Sequence, residues 1–103
     1  MKEEAKKNML DRLKKDLNMN FKTGDDSILS DFIDDYISIA SNNSNRKKSD
    51  EILYPYVYKA VKSAYLLRGN EGSTNITEGD ISAAYEDIEE KLKINVRSIR
   101  VIK

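Results

Sequence analysis

Hydrophobic spacing divides the chain into four helical stretches and a final stretch of alternating character. Ala5, Met9, Leu10, Leu13 and Leu17 recur at steps of mostly three and four residues, which predicts an amphipathic helix over residues 5–18. Lys6, Lys7, Asp11, Lys14 and Lys15 fill its other face. The polar run that follows closes on Gly24 and reads as a loop. Ile28, Leu29, Phe32, Ile33, Tyr36, Ile37 and Ala40 then form a wide apolar stripe, predicting a second helix over residues 26–41. Asp25 or Asp26 supplies an acceptor for the free N–H groups of its first turn. Asp31, Asp34 and Asp35 point away from the stripe. Aspartate is a mediocre helix former, so burial rather than propensity must hold this helix.

Residues 41–49 interrupt the pattern. Ser41-Asn42-Asn43-Ser44-Asn45 offers its own side chains to the backbone, and Arg46, Lys47 and Lys48 add charge, so an exposed loop is expected. A third helix is predicted over residues 50–68, capped by Ser49. Ile52, Leu53, Tyr56, Val57, Ala60, Val61, Ala64, Tyr65 and either Leu66 or Leu67 form its buried face. Pro55 requires that this helix start near Tyr54 or kink close to its N-terminus. Gly69 stops it, and residues 69–81, with Gly69, Gly72 and Gly79, read as an extended loop. Tyr85, Ile88 and Leu92, with Ala84 beside them, mark the inner side of a fourth helix over residues 82–93. From residue 95 to 102 the period becomes two and β-branched residues are enriched, which predicts a terminal β-strand or arm. Such a strand must pair with residues 73–81 or with another subunit. The expected fold is thus mainly α. It is a small bundle of about four helices, one domain over residues 1–103, with a Gly-containing loop and a C-terminal strand.

Composition narrows the chemistry. The 103 residues include no Cys, His or Trp. Disulfide frameworks, zinc or haem sites of the usual kind, and triads built on His or Cys are excluded. A chain of this length buries roughly two thirds of the surface its unfolded form exposes, so an oligomeric partner would add usefully to its stability. Lys plus Arg and Asp plus Glu stand at 18 each, but the zero is a sum of blocks. Residues 25–40 carry five acids and no base, residues 71–90 seven acids and no base, and residues 91–103 five bases and no acid. Such blocks serve as solvated faces or as complementary faces of a self-assembling subunit. The N-terminus has no apolar signal region, and no apolar run approaches the roughly 20 residues needed to span a bilayer, so a soluble, non-secreted chain with no membrane partner is expected.

Candidate chemistry is sparse. Asp31, Asp34 and Asp35 share a helix face and are the only cluster resembling a Mg²⁺ site; a solvated acidic face is the simpler reading. The glycines match no phosphate-binding loop. Five of the six tyrosines, Tyr36, Tyr54, Tyr56, Tyr58 and Tyr65, cannot all face one core, so some are expected at an interface. Basic patches occur at Lys6-Lys7, at Lys14-Lys15, at Arg46-Lys47-Lys48 and at Arg97, Arg100 and Lys103, but no helix-turn-helix with a basic recognition helix is visible. No catalytic residue, cofactor or metal site is expected. A small helical DNA-binding or regulatory protein is the alternative reading.

One constellation is more specific. Leu10, Leu13 and Leu17 precede Asp25-Asp26-x-x-Leu29-x-x-x-Ile33, then an apolar helix with Pro55 in its first turns. Arg68-Gly69-Asn70-Glu71-Gly72-Ser73 follows, then Gly79, Ser82 and Tyr85. In this order the chain resembles the small head-tail connector, or adaptor, proteins of long-tailed double-stranded DNA bacteriophages and prophages. It departs from them where Thr74, Asn75 and Thr77 stand in a stretch commonly richer in serine. The resemblance implies a non-enzymatic virion protein at the head-tail interface, assembled in the host cytoplasm. It implies a ring of about twelve copies that docks to the portal protein, extends the DNA channel and receives the next head-completion or tail-side protein. It further implies that the loop and terminal segment make the portal or inter-subunit contacts, through Arg68, Gly69, Glu71, Gly72, Ser73, Gly79, Tyr85, Arg97 and Arg100. Packaged DNA would pass close by without being specifically bound.

Overall fold

The architecture was taken from a computed structural model, which describes residues 2–17, 24–69 and 78–102. Four α-helices carry the described residues: α1 (Glu3–Leu17), α2 (Asp26–Ser44), α3 (Tyr54–Gly69) and α4 (Glu78–Arg97). A single 3₁₀ turn, Glu51–Leu53, precedes α3. No strand occurs among the described residues.

Helices α2 and α3 each touch all three of the other helices. Leu29, Ile33, Tyr36, Ile37 and Ala40 of its stripe are buried, with Ile28 and Phe32 packed at the edge. Met9, Leu13 and Leu17 of α1 close one side of this core, and Leu53, Val57, Ala60, Val61, Ala64 and Tyr65 close another. Two ion pairs set α1 antiparallel to α2: Lys6 Nζ lies 2.9 Å from Asp34 Oδ1, and Lys14 Nζ lies 2.6 Å from Asp26 Oδ2. The start of α2 differs from expectation in detail. Asp25 occupies the N-cap position, but its carboxylate does not cap the helix. Its carbonyl accepts from the Ile28 and Leu29 N–H groups, while Oδ2 accepts the Tyr65 hydroxyl at 2.7 Å. That bond sets the C-terminal half of α3 against the start of α2.

The end of α2 lies beyond the expected residue 41. The side chains of the serine- and asparagine-rich run bond back along the helix instead of unwinding it: Asn43 Nδ2 to the Ile39 carbonyl at 2.8 Å, and Ser44 Oγ to the Ala40 carbonyl at 2.6 Å. Ser44 is fully buried, and Asn45 then ends the helix in the left-handed region at φ 56°. Asp50, not Ser49, caps the following turn, its Oδ1 accepting from the Ile52 N–H at 3.2 Å. The helix proper starts at Tyr54, so Pro55 sits in its first turn, where its missing N–H forfeits nothing. Ile52, expected inside, is 43 % exposed, and Leu66 is 38 % exposed while Leu67 is half-buried.

The C-terminal region corrects the strand expected over residues 95–102. Helix α4 continues to Arg97 and buries both Leu92 and Val96. Ile88, Leu92, Val96 and Ile99 follow helical spacing equally well, and burial of Val96 decides between the two periods. The chain then turns through bonds from the Ile99 N–H to the Val96 carbonyl and from the Arg100 N–H to the Arg97 carbonyl. The terminal residues bond to α2 of the same chain, not to a strand: the Val101 N–H donates to the Ser44 carbonyl at 2.9 Å, Asn45 Nδ2 to the Val101 carbonyl at 3.3 Å, and Arg46 Nε to the Ile99 carbonyl at 2.8 Å. Those bonds satisfy a helix-end carbonyl that would otherwise lack a partner. The expected loop over residues 69–81 is shortened from both sides, since Gly69 closes α3 and α4 starts at Glu78; its middle lies outside the described residues.

Arg46 also pairs with Asp50, Nη1 to Oδ2 at 2.9 Å. This bond, with the Ile52 N–H, holds the Asp50 carboxyl below its ordinary value of 3.8. A depressed folded value contributes stability that is present above the unfolded pKa and lost as pH falls through the folded one. The Asp50→Asn variant should therefore show a shallower loss of stability than the parent as pH drops below about 4. Urea midpoints across that range, read by circular dichroism, check it; parallel curves would remove the contribution assigned to the pair.

Candidate functional site

The residues expected to make contacts fall at two opposite ends of the bundle. Arg68 is exposed in the last turn of α3, and Gly69 closes that helix. Gly79 lies in the first turn of α4, and Tyr85 is half-buried further along it, packed against the core. This end is marked by the Tyr65–Asp25 bond at the start of α2. Glu71, Gly72 and Ser73 lie outside the described residues. Arg97 and Arg100 are exposed at the other end, beside the end of α2; Arg97 Nη2 donates to Asn43 Oδ1 at 3.3 Å. The 19 residues of α2 separate the two groups by about 28 Å of helix rise.

Helices α2 and α4 run parallel. Glu89 faces Tyr36 closely enough to add to the effect of burial in raising the tyrosine's pKa, and Arg97 reaches Asn43. Sequence reasoning missed this juxtaposition. It gathers Asn43, Asn45, Arg46, Lys47, Lys48, Arg97 and Arg100 at one end, from segments about fifty residues apart in sequence. Repeated acid-then-base order in α2 with its following loop, and again in α4, was the available signal.

The acidic groups of α2 are partly used within the chain. Asp34 and Asp26 are taken by the lysines of α1, while Asp31 and Asp35 are exposed. Among the described residues no group of three or more carboxylates is gathered to hold a metal ion. A groove of about 390 Å³ lies between α1 and the start of α3, lined in part by Met9, Arg12, Tyr54, Pro55 and Tyr58. The Arg12 guanidinium lies 4.5 Å from the centroid of the Tyr58 ring, and the Tyr58 hydroxyl is buried with no hydrogen-bond partner among the described residues. Tyr36 and Tyr65 are buried, while Tyr54, Tyr56 and Tyr58 are half-buried against the core. No helix among the described residues is long and apolar enough to cross a membrane.

A family model described as phage gp6-like head-tail connector protein matches residues 7–100, nearly the whole bundle and its terminal clasp. The chain belongs to that family. No match was found among curated proteins or among solved structures. Head-tail connectors are structural and non-enzymatic and sit at the junction of virion head and tail, between portal and tail proteins. This connector is accordingly a phage structural protein.

Proposed function

We propose that residues 1–103 form one connector domain that assembles as a ring on the portal protein, extends the DNA channel and receives the next head-completion or tail-side protein. The family match over residues 7–100 carries this reading. The isolated chain is monomeric when dilute, and a ring of about twelve copies closes on the docked portal after synthesis in the host cytoplasm. Arg68, Gly69, Glu71, Gly72, Ser73, Gly79 and Tyr85 serve one set of contacts, and Arg97 and Arg100 another. DNA passes through the ring without sequence-specific contact.

Mixing the connector with the portal of the same phage and imaging the product by electron microscopy tests the reading. A ring seated on the portal is expected. A chain ending at Arg97 should lose that docking while its helices persist by circular dichroism, because Val96 remains inside the core. An Arg97→Glu/Arg100→Glu double variant, which keeps the backbone clasp, should weaken docking in the same direction. Portal complexes unchanged in both variants would remove the terminal segment from the interface.

A further inference from the structure

We infer that the basic end of one copy docks on the acidic flank of the next, through Lys47, Lys48 and Arg100 on one side and Asp31, Asp35 and Glu86 on the other. The inference rests on the ring reading above and names the partner surface within it. Its basis is the parallel packing of α2 and α4. Each helix is acidic in its N-terminal half, and each is followed or closed by bases. Placed side by side in the same direction, they give the bundle one acidic stretch and one basic end.

The helix dipole accounts for only part of this. It favours acids in the first turn and bases in the last, and it fades within a turn. Asp31 and Asp35 lie in the second and third turns of α2, and Lys47 and Lys48 lie beyond its cap. Pairing inside the chain accounts for another part. Lys6 and Lys14 take Asp34 and Asp26, Lys91 takes Asp87, and Lys93 takes Glu89 and Glu90. Asp31, Asp35 and Glu86 remain exposed and without an ion pair among the described residues, as do Lys47, Lys48 and Arg100. These three acids and three bases are opposite in sign and belong to opposite ends of the α2–α4 pair, on one molecule whose net charge is zero. Apolar surface adjoins the basic group: Val101 is 36 % exposed and Ile102 91 % exposed. A docked neighbour would cover it.

When the basic end and the acidic flank of one copy engage two different neighbours, the contact is heterologous and has no two-fold axis. It closes a ring if the rotation between copies returns to the start and otherwise extends as a chain. A two-fold dimer would instead close both basic-on-acidic contacts reciprocally between the same two copies, and association would stop at two.

Sedimentation velocity on the full chain, concentrated and at low salt, tests the inference apart from any portal. Weak, reversible association is expected, lost near 1 M salt, where screening acts within about 3 Å. The variants K47E/K48E/R100E and D31K/D35K/E86K should each associate at least about tenfold more weakly, since attraction becomes like-charge repulsion. All six positions are exposed, so both variants should melt close to the parent. An equimolar mixture of the two should recover association. A parent that stays monomeric at low salt, variants that associate as the parent does, or a mixture that fails to recover would each overturn this interface. None of these outcomes bears on whether the chain binds portal.

Discussion

Replacing Val96 by Asp should cost about 3–5 kcal/mol of folding stability, while Ile94→Asp two residues away should stay within about 0.5 kcal/mol. Val96 is fully buried on the inner face of α4, against a cluster that holds Leu92 and Ile88, whereas Ile94 is 59 % exposed. A carboxylate at position 96 has no cation in that cluster to pair with, so it must desolvate, neutralise or break the packing. Against a total stability of about 5–15 kcal/mol for a domain, such a loss populates the unfolded chain visibly. The comparison separates two conformations of the same residues. In a strand, positions 94 and 96 share a face and the two substitutions cost alike. In a helix they lie about 200° apart, and only one faces the core. Urea midpoints of the two variants, followed by circular dichroism, give the answer; equal shifts would return the segment to an extended form.

Ile33→Ala should lower stability by about 2–5 kcal/mol, with each kcal/mol moving the melting temperature by about 4–8 °C. Ile33 is fully buried in the central helix, one turn from Leu29 and from Ile37, which are themselves buried. Helices α1, α3 and α4 all pack around α2, so a void there has walls on several elements that cannot all close at once. The control is Asp31→Ala on the exposed face of the same helix, expected within about 0.5 kcal/mol. Differential scanning calorimetry of the pair checks the contrast. An Ile33→Ala melt within a few degrees of the parent would mean that this core collapses around the gap or is less tightly packed than its burial indicates.

The three N-terminal helices were legible because their apolar residues repeat at the helical period over several turns. Leu13, Leu29, Ile33, Val57 and Val61, all named from spacing, are fully buried. The boundaries were less legible, for a local reason. Ser41, Asn43 and Ser44 carry groups able to bond the backbone in either a loop or a helix, and composition does not say which carbonyl they choose. In α2 they choose carbonyls of the helix itself, at Ile39 and Ala40. The terminal segment was ambiguous because Ile88, Leu92 and Val96 fit a period near four while Ile94, Val96 and Ser98 fit a period of two. Arg68, Gly69, Gly79 and Tyr85 are candidate contact residues on the order of their motif alone. The joining of the two basic segments was not legible, since Lys47 and Lys48 meet Arg97 and Arg100 only after folding.

The sequence by itself determined the helical class, the apolar faces of α1 to α3 and, through the order of its motifs, membership of the head-tail connector family. Periodicity is a property of a few consecutive turns, and backbone geometry ties it to one face. The tertiary structure alone decided that α2 and α4 run parallel, that α1 spends its lysines on Asp26 and Asp34, and that the last residues clasp the end of α2 instead of forming a strand. Those outcomes depend on which surfaces exclude water together and which orphaned carbonyl finds a donor. Such choices bring together residues 28 positions apart at Lys6 and Asp34 and 53 apart at Arg46 and Ile99, beyond the reach of any local pattern.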